Sequence, residues 1–316
     1  MTSAGGPIVC ATVNLALDIT YVSDRFDADD VNRVEVVHAQ AGGKGVNVAR
    51  LLHHLGWPVV VTGFVGGNVG REIVGDLDRC GLPHELAGCS AASRRTVTAF
   101  GTRSATATAY NEPGPPISEN EWTRLVAGLD GCITGASAVV LAGSLPASAP
   151  AQGYRQLAGR VAAADVPLFV DVPGDVLVEV VDSGKPVLAK PNERECAQAL
   201  RTGTPLSPSQ AAEAGTRLRA DGATAVVVSL GDRGLVAVTA ERRLWARPPA
   251  VRGNPVGAGD AALAALVHGH LTGQPWAERL RAAAAMSAAA VRQDVAGVVD
   301  PVDVAELVSQ VEVARL

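Results

Sequence analysis

Asp260 stands directly behind two glycines in "NPVGAGDAALAALVHGHL" (254–271), and the alanine-rich run after it has the composition of a helix. Gly257 and Gly259 allow a tight turn with backbone N–H groups facing outward, and a helix starting there adds the positive end of its dipole. Gly257, Ala258 and Gly259 are therefore a candidate anion site with a carboxylate at its mouth. That pairing suits phosphoryl transfer from ATP to an alcohol, in which backbone donors stabilise the transferring group while a base takes the hydroxyl proton. An aspartate at a helix start is also explained as an N-cap or first-turn stabiliser. The same residues fit a loose GxGxxA dinucleotide fingerprint. The acid expected about twenty residues on, Glu278, lies in a helical start instead, and a carboxylate within the cradle would repel a pyrophosphate.

A second glycine cluster, "AGGKGVNVARLL" (41–52), is also followed by a helical pattern. Gly42, Gly43 and Gly45 permit close backbone approach, Lys44 offers a positive donor, and Asn47 can hydrogen-bond a hydroxyl from the first helical turn. The spacing lacks the GxxxxGK form and the following Ser or Thr of a Walker site. "LAKPNERE" (188–195) brings Lys190, Asn192 and Glu195 into one short span. Asn and Glu suit a hydrated magnesium ion, and equally an N-capped helix with a surface acid. Only Lys44, Lys185 and Lys190 of the 27 basic residues are lysines, and two of them fall in these loops.

The elements that must position these loops alternate between short apolar runs and helical stretches. Strands are expected at 58–66, 136–144, 166–174, 186–192 and 224–234, with helices at 46–55, 119–130, 150–164, 207–221, 275–292 and 301–313. Apolar strands separated by helices indicate an α/β fold whose parallel sheet is covered on both faces. Residues 19–40 and 94–111 break the rhythm with partial period-2 alternation, which predicts two hairpins joined as a small antiparallel lid outside the main sheet. An exposed apolar lid face would favour a homodimer. "EPGPP" (112–116) is a candidate hinge.

Composition narrows the function classes. A net charge of -5 and 47% apolar residues describe a globular chain with no general attraction to nucleic acid or anionic membrane. The apolar runs are too short to span a bilayer and no signal segment is evident, so a cytoplasmic protein acting on a small molecule is expected. Cys10, Cys80, Cys89, Cys132 and Cys196 form no CxxC pair and read as reduced packing residues.

In order along the chain, "TVNLALD" (12–18), "VNRVEVVHAQAGGKGVNVARLLHHLG" (31–56), "NEPGPPIS" (111–118), "LAGSLP" (141–146), "KPNERE" (190–195), "VSLGDRG" (228–234) and "NPVGAGDAALAAL" (254–266) resemble the PfkB, or ribokinase-like, carbohydrate kinases. The resemblance is strongest to the branch acting on ketohexose phosphates: 1-phosphofructokinase, the minor 6-phosphofructokinase and tagatose-6-phosphate kinase. It implies a three-layer α/β/α body over 1–316, a mostly parallel sheet, a β lid through which dimers form, and the use of ATP and Mg²⁺. It implies Asp260 as base and Gly257, Ala258 and Gly259 as anion hole. Sugar contacts fall to Asp18, Gly42, Gly43, Lys44, Asn47, Arg95 and Ser144. The ATP side falls to Lys190, Asn192, Ser229, Gly231 and Gly234, with Asn192 and Glu195 reaching magnesium through water.

The chain departs from the family pattern at several places. Leu15 and Pro255 replace residues usual in their motifs, and Pro255 removes a backbone donor just ahead of the anion hole. Arg95 aligns with an arginine that grips the sugar phosphate, but Val97 and Ala99 stand where polar residues are usual. Arg33, Lys44, Arg94, Arg95 and Arg103 remain as sources of positive charge. If they turn away, the acceptor is an unphosphorylated sugar or a nucleoside. A sugar-binding regulator without catalysis is the reading from another class.

Overall fold

Apolar strand residues that alternate between two faces need a cover on each, and the chain supplies helices for both. The computed structural model describes residues 5–316. The first half contains β1 (Ile8–Ala11), β2 (Ala16–Ser23), β3 (Val36–Gly42), α1 (Lys44–His54), β4 (Val59–Val65), α2 (Gly67–Arg79), β5 (His84–Gly88), β6 (Arg94–Gly101), β7 (Thr106–Asn111) and α3 (Glu119–Ile133). The middle contains β8 (Ala138–Ala142), α4 (Gly153–Ala163), β9 (Leu168–Asp171), α5 (Gly174–Gly184), β10 (Leu188–Ala189), α6 (Glu193–Leu200) and α7 (Pro208–Ala220). The last part contains β11 (Ala225–Ser229), β12 (Leu235–Val238), β13 (Arg243–Arg247), α8 (Ala258–Leu271), α9 (Trp276–Val291), α10 (Pro301–Val308) and β14 (Glu312–Arg315).

The main sheet runs β14-β13-β12-β11-β10-β9-β8-β1-β4-β5. Neighbours from β5 through β11 pair in parallel, and β11 to β14 pair antiparallel. Period-2 geometry divides the strand side chains between two cores. Ile8, Cys10, Val140 and Phe169 face one core with α1, α2, α8 and α9, whereas Val9, Ala11, Leu141 and Val170 face the other with α3, α4, α5 and α7. The expected ribokinase-like α/β/α layering follows. Among the described residues no helix is long and apolar enough to cross a membrane, and all five cysteines are free.

A small separate sheet, β3-β2-β6-β7, forms from the two segments expected as a lid. Both expected hairpins form, but the sheet is mixed rather than antiparallel, because β2 and β6 pair in parallel with Asp18 opposite Thr96. Each hairpin leaves the body on its first strand, so the two first strands lie side by side in one direction. The expected helix over 301–313 also needs correction: α10 stops at Val308 and the chain returns as β14 on the edge of β13. "VEVAR" (311–315) alternates at period 2, with Val311 buried and Val313 packed on the core, a pattern a helix would not maintain.

Candidate active site

The carboxyl ends of the parallel strands and the lid enclose a cleft of about 1550 Å³. This is where an α/β sheet opens toward a ligand. Thr12 follows β1, Ser144 follows β8, Asp171 ends β9, Lys190 follows β10 and Ser229 ends β11, and all line the cleft.

Asp260 lies at the first turn of α8, behind Gly257, whose φ of 86° is the left-handed turn that glycine tolerates without strain. A Cβ on Gly257 would sit 2.6 Å from the Cβ of Ala296, so close packing also demands glycine there. Helices α3, α6 and α7 begin with capping boxes at Ser118, Asn192 and Ser207, whereas no side chain caps α8. Its first-turn N–H groups are thus left unclaimed by side chains in the cleft, a donor set for an anion. The N-cap explanation of Asp260 does not hold, since its carboxylate accepts from Asn47 Nδ2 at 2.8 Å instead. Burial first, and the nearby Asp171 charge second, push the Asp260 carboxyl up to about 7, against the pull of Lys44, Asn47 and Lys190.

Asp171, which the sequence did not single out, organises both lysines. It is buried, and it accepts from Lys44 Nζ at 2.8 Å and from Lys190 Nζ at 2.8 Å. Burial alone would raise its carboxyl, but Lys190 and Lys44 outweigh that and hold it down. Lys44 donates also to Glu195 Oε1 at 3.0 Å, and the two carboxylates hold its ammonium firmly protonated despite burial. Lys190 points beneath the anion loop: its Nζ lies 3.4 Å from where a Cβ on Gly259 would be. It is buried against Asp171 at the floor of the cleft.

Alternation along β6 decides which of its side chains enter the cleft. Arg94, Thr96 and Thr98 line the cleft and Arg95 does not. The expectation for Arg95 is therefore corrected by one residue, which in a strand moves the side chain to the opposite face. Arg94 donates from Nε to the Asn14 carbonyl at 3.2 Å and from Nη1 to the Glu112 carbonyl at 3.4 Å. Arg103 instead pairs with Asp24 on the exposed turn. Asp18 accepts from Thr96 Oγ1, and burial raises its carboxyl against that bond and the Arg94 charge. Gly42 backs Asp18, where a Cβ would meet Oδ2 at 1.9 Å, and Gly43 and Ser144 line the cleft. Asn14 donates to Ser144 at 3.2 Å. Thr12 Oγ1, Asn14 Oδ1 and Asn47 Oδ1 are buried without a protein partner, acceptor atoms suited to the hydroxyls of a polyol.

The other half of the cleft is lined by Asn192, Ser229, Gly231 and the loop 248–253, which the sequence reading did not assign although "RPPAVRGNP" (247–255) carries the prolines of a fixed loop. Gly234 is a turn residue outside the lining, with a φ of 94° and a Cβ position 1.9 Å from the Ala246 carbonyl. For magnesium, Asn192 and Glu195 do line the cleft, but they form a capping box. Asn192 Oδ1 accepts from Glu195 N, while the Glu195 oxygens accept from Asn192 N and Lys44. Among the described residues no group of three His, Cys, Asp or Glu side chains is placed to hold a metal ion. The donor set fits an ion held through water rather than one bound directly.

The chain matches the model of the pfkB family of carbohydrate kinases over residues 9–301. It is 28% identical to a candidate phosphofructokinase from Staphylococcus aureus, with TM-score 0.79 over 98% of this chain and 99% of that one. Phosphofructokinase-2 from Escherichia coli, solved with fructose-6-phosphate, shares the fold at 24% identity and TM-score 0.86, covering 96% and 99% of the two chains. A candidate 1-phosphofructokinase from Thermotoga maritima shares it at 22% identity and TM-score 0.89, covering 98% and 99%.

Proposed function

The chain belongs to the pfkB family of carbohydrate kinases, and from that premise we propose that it transfers the γ-phosphoryl group of ATP to a ketohexose phosphate with Asp260 as general base. The acceptor class comprises fructose 1-phosphate, fructose 6-phosphate and tagatose 6-phosphate. The observation that carries the reading is the buried Asp260 carboxyl, pushed to about 7, at the first turn of an uncapped helix in a cleft wide enough for two ligands.

In this mechanism the acceptor hydroxyl lies against Asp260 Oδ while Asn47 fixes the carboxylate. As the hydroxyl oxygen bonds to the γ-phosphorus, its proton passes to Asp260 and the bond to the β,γ-bridging oxygen breaks, leaving ADP. The amides of Gly257, Gly259 and Asp260 face the transferring oxygens, while the Ala258 amide donates to the Pro255 carbonyl at 3.3 Å, and Lys190 adds positive charge from behind. Asn192 and Glu195 would hold magnesium through water, and the ion when bound would offset the charge of the triphosphate. Closure of the lid over the sugar excludes water. A second copy packs on the outer lid face.

Support for a phosphorylated acceptor comes from Arg94, whose hydrogen bonds go to carbonyl oxygens rather than to a carboxylate. Arg94→Ala is expected to raise the KM for the sugar phosphate by about tenfold or more, the worth of a hydrogen bond to a charged group, with turnover of free fructose unaffected. Asp18 and Glu112 at the same end of the cleft favour a neutral acceptor instead. An Arg94→Ala enzyme with unchanged KM would transfer the reading to unphosphorylated sugars or nucleosides.

A further inference from the structure

The anion loop is held by a strap that the lid also grips. Residues 292–300, between α9 and α10, run as irregular chain past three parts of the site. Asn254, almost fully buried, donates from Nδ2 to the Asp294 carbonyl at 2.8 Å and accepts from Val256 N at 3.1 Å. Two residues farther along the strap, Gly257 packs against Ala296 so closely that no side chain fits between them. Gly297 in turn lies under α1, with its Cβ position 3.1 Å from Asn47 Oδ1. The strap therefore touches both the turn that begins α8 and the residue that holds the Asp260 carboxylate.

From the lid, Gln40 on β3 donates from Nε2 to the Ala296 carbonyl at 2.8 Å. Gln40 is directly opposite Asp18 across the β2–β3 pair, on the same face of the lid. The base of β3 is itself anchored, because Asp76 accepts from Ala41 N and from Arg50, which also donates to the Ala41 carbonyl. One side chain thus connects the strand that carries the sugar end of the cleft to the segment against which Gly257 rests.

We propose that Gln40 is a positioning residue that locks the strap onto the lid and thereby sets the geometry of Gly257 and the first turn of α8. The inference rests on the reading of Gly257 to Asp260 as the phosphoryl-transfer site. Sugar binding at Asp18 stiffens the lid, Gln40 conveys this to Ala296, and the anion loop is most ordered when the acceptor is present.

Gln40→Glu keeps the size of the side chain but cannot donate to a carbonyl, and Gln40→Ala removes it without adding a charge opposite Asp18; the site is only half-buried, so both variants are expected to fold. The expected result is kcat lower by about tenfold in each with KM for ATP changed less than about threefold, the split that marks loss of an interaction acting in the transition state. Amide hydrogen exchange, which requires no turnover, should quicken at 253–260 and 293–299 in Gln40→Glu and stay as in wild type in the sheet. A kcat within about twofold of wild type overturns the proposal. So does a lower kcat with unaltered exchange at 253–260, which would place the effect in the sugar contacts, or exchange that quickens throughout the chain. If wild type turns over no sugar, the kinase reading of the site has failed, and exchange at 253–260 alone decides whether Gln40 holds the loop.

Discussion

A carboxylate is a more effective base at neutral pH when its pKa is raised toward that pH, and burial beside another carboxylate is one way a fold achieves this. Asp260 has both, and its pKa of about 7 places the acid limb of kcat/KM there: activity should fall as pH drops below 7 because the protonated carboxyl cannot accept the hydroxyl proton. Asp171 contributes the like charge, so Asp171→Asn should move that limb to lower pH while raising KM through the loosened lysines. A pH-rate profile with an unmoved limb would remove Asp171 from the electrostatics of the base. Asp260, Lys44 and Asn47 could be read from the sequence because glycines and a helix start mark their loops. Asp171 could not: in "FVDVP" (169–173) it is one acid after a strand, and its partners stand 127 positions earlier at Lys44 and in a separate loop at Lys190.

At the scale of elements, hydrophobic patterning marked β4, β8, β9, β10 and β11 and the helices α1, α3, α4, α7 and α9, whereas the short strands β1, β5, β12 and β13 and the helices α2, α5 and α6 were not read from it. Facing within the lid was harder to read. Two arginines in succession at 94 and 95 leave the choice to register, and pairing of Ala16 with Arg94 and Asp18 with Thr96 turns Arg94 into the cleft. A strand at the very end of the chain is similarly decided by what it pairs with. Four ladder positions join β14 to β13, and Val311 and Val313 pack on the core. Truncation after Gln310 should therefore lower Tm by several degrees and promote aggregation, because β13 becomes an unprotected edge. Thermal melting with light scattering checks this, and an unaltered melt would mean that β14 adds nothing to the body.

The main sheet with its helices and the small second sheet share one cleft, lined by Asp171, Lys190 and Asp260 from the body and by Asp18 and Arg94 from the small sheet. On the face opposite Asp18 the small sheet leaves Val37 and Tyr110 exposed, at 58% and 63%. Sedimentation velocity should report a dimer that Val37→Glu dissociates, whereas a monomeric wild type would contradict pairing through this face. The most direct measurement of the central claim is ADP release from ATP over fructose 1-phosphate, fructose 6-phosphate, tagatose 6-phosphate, fructose, ribose and adenosine, with wild type and Asp260→Asn side by side. The expected result is turnover of one phosphorylated ketose, reduced by about 10²–10⁴ in the variant, the range that loss of a general base gives. Equal turnover by the two proteins would contradict Asp260 as the base.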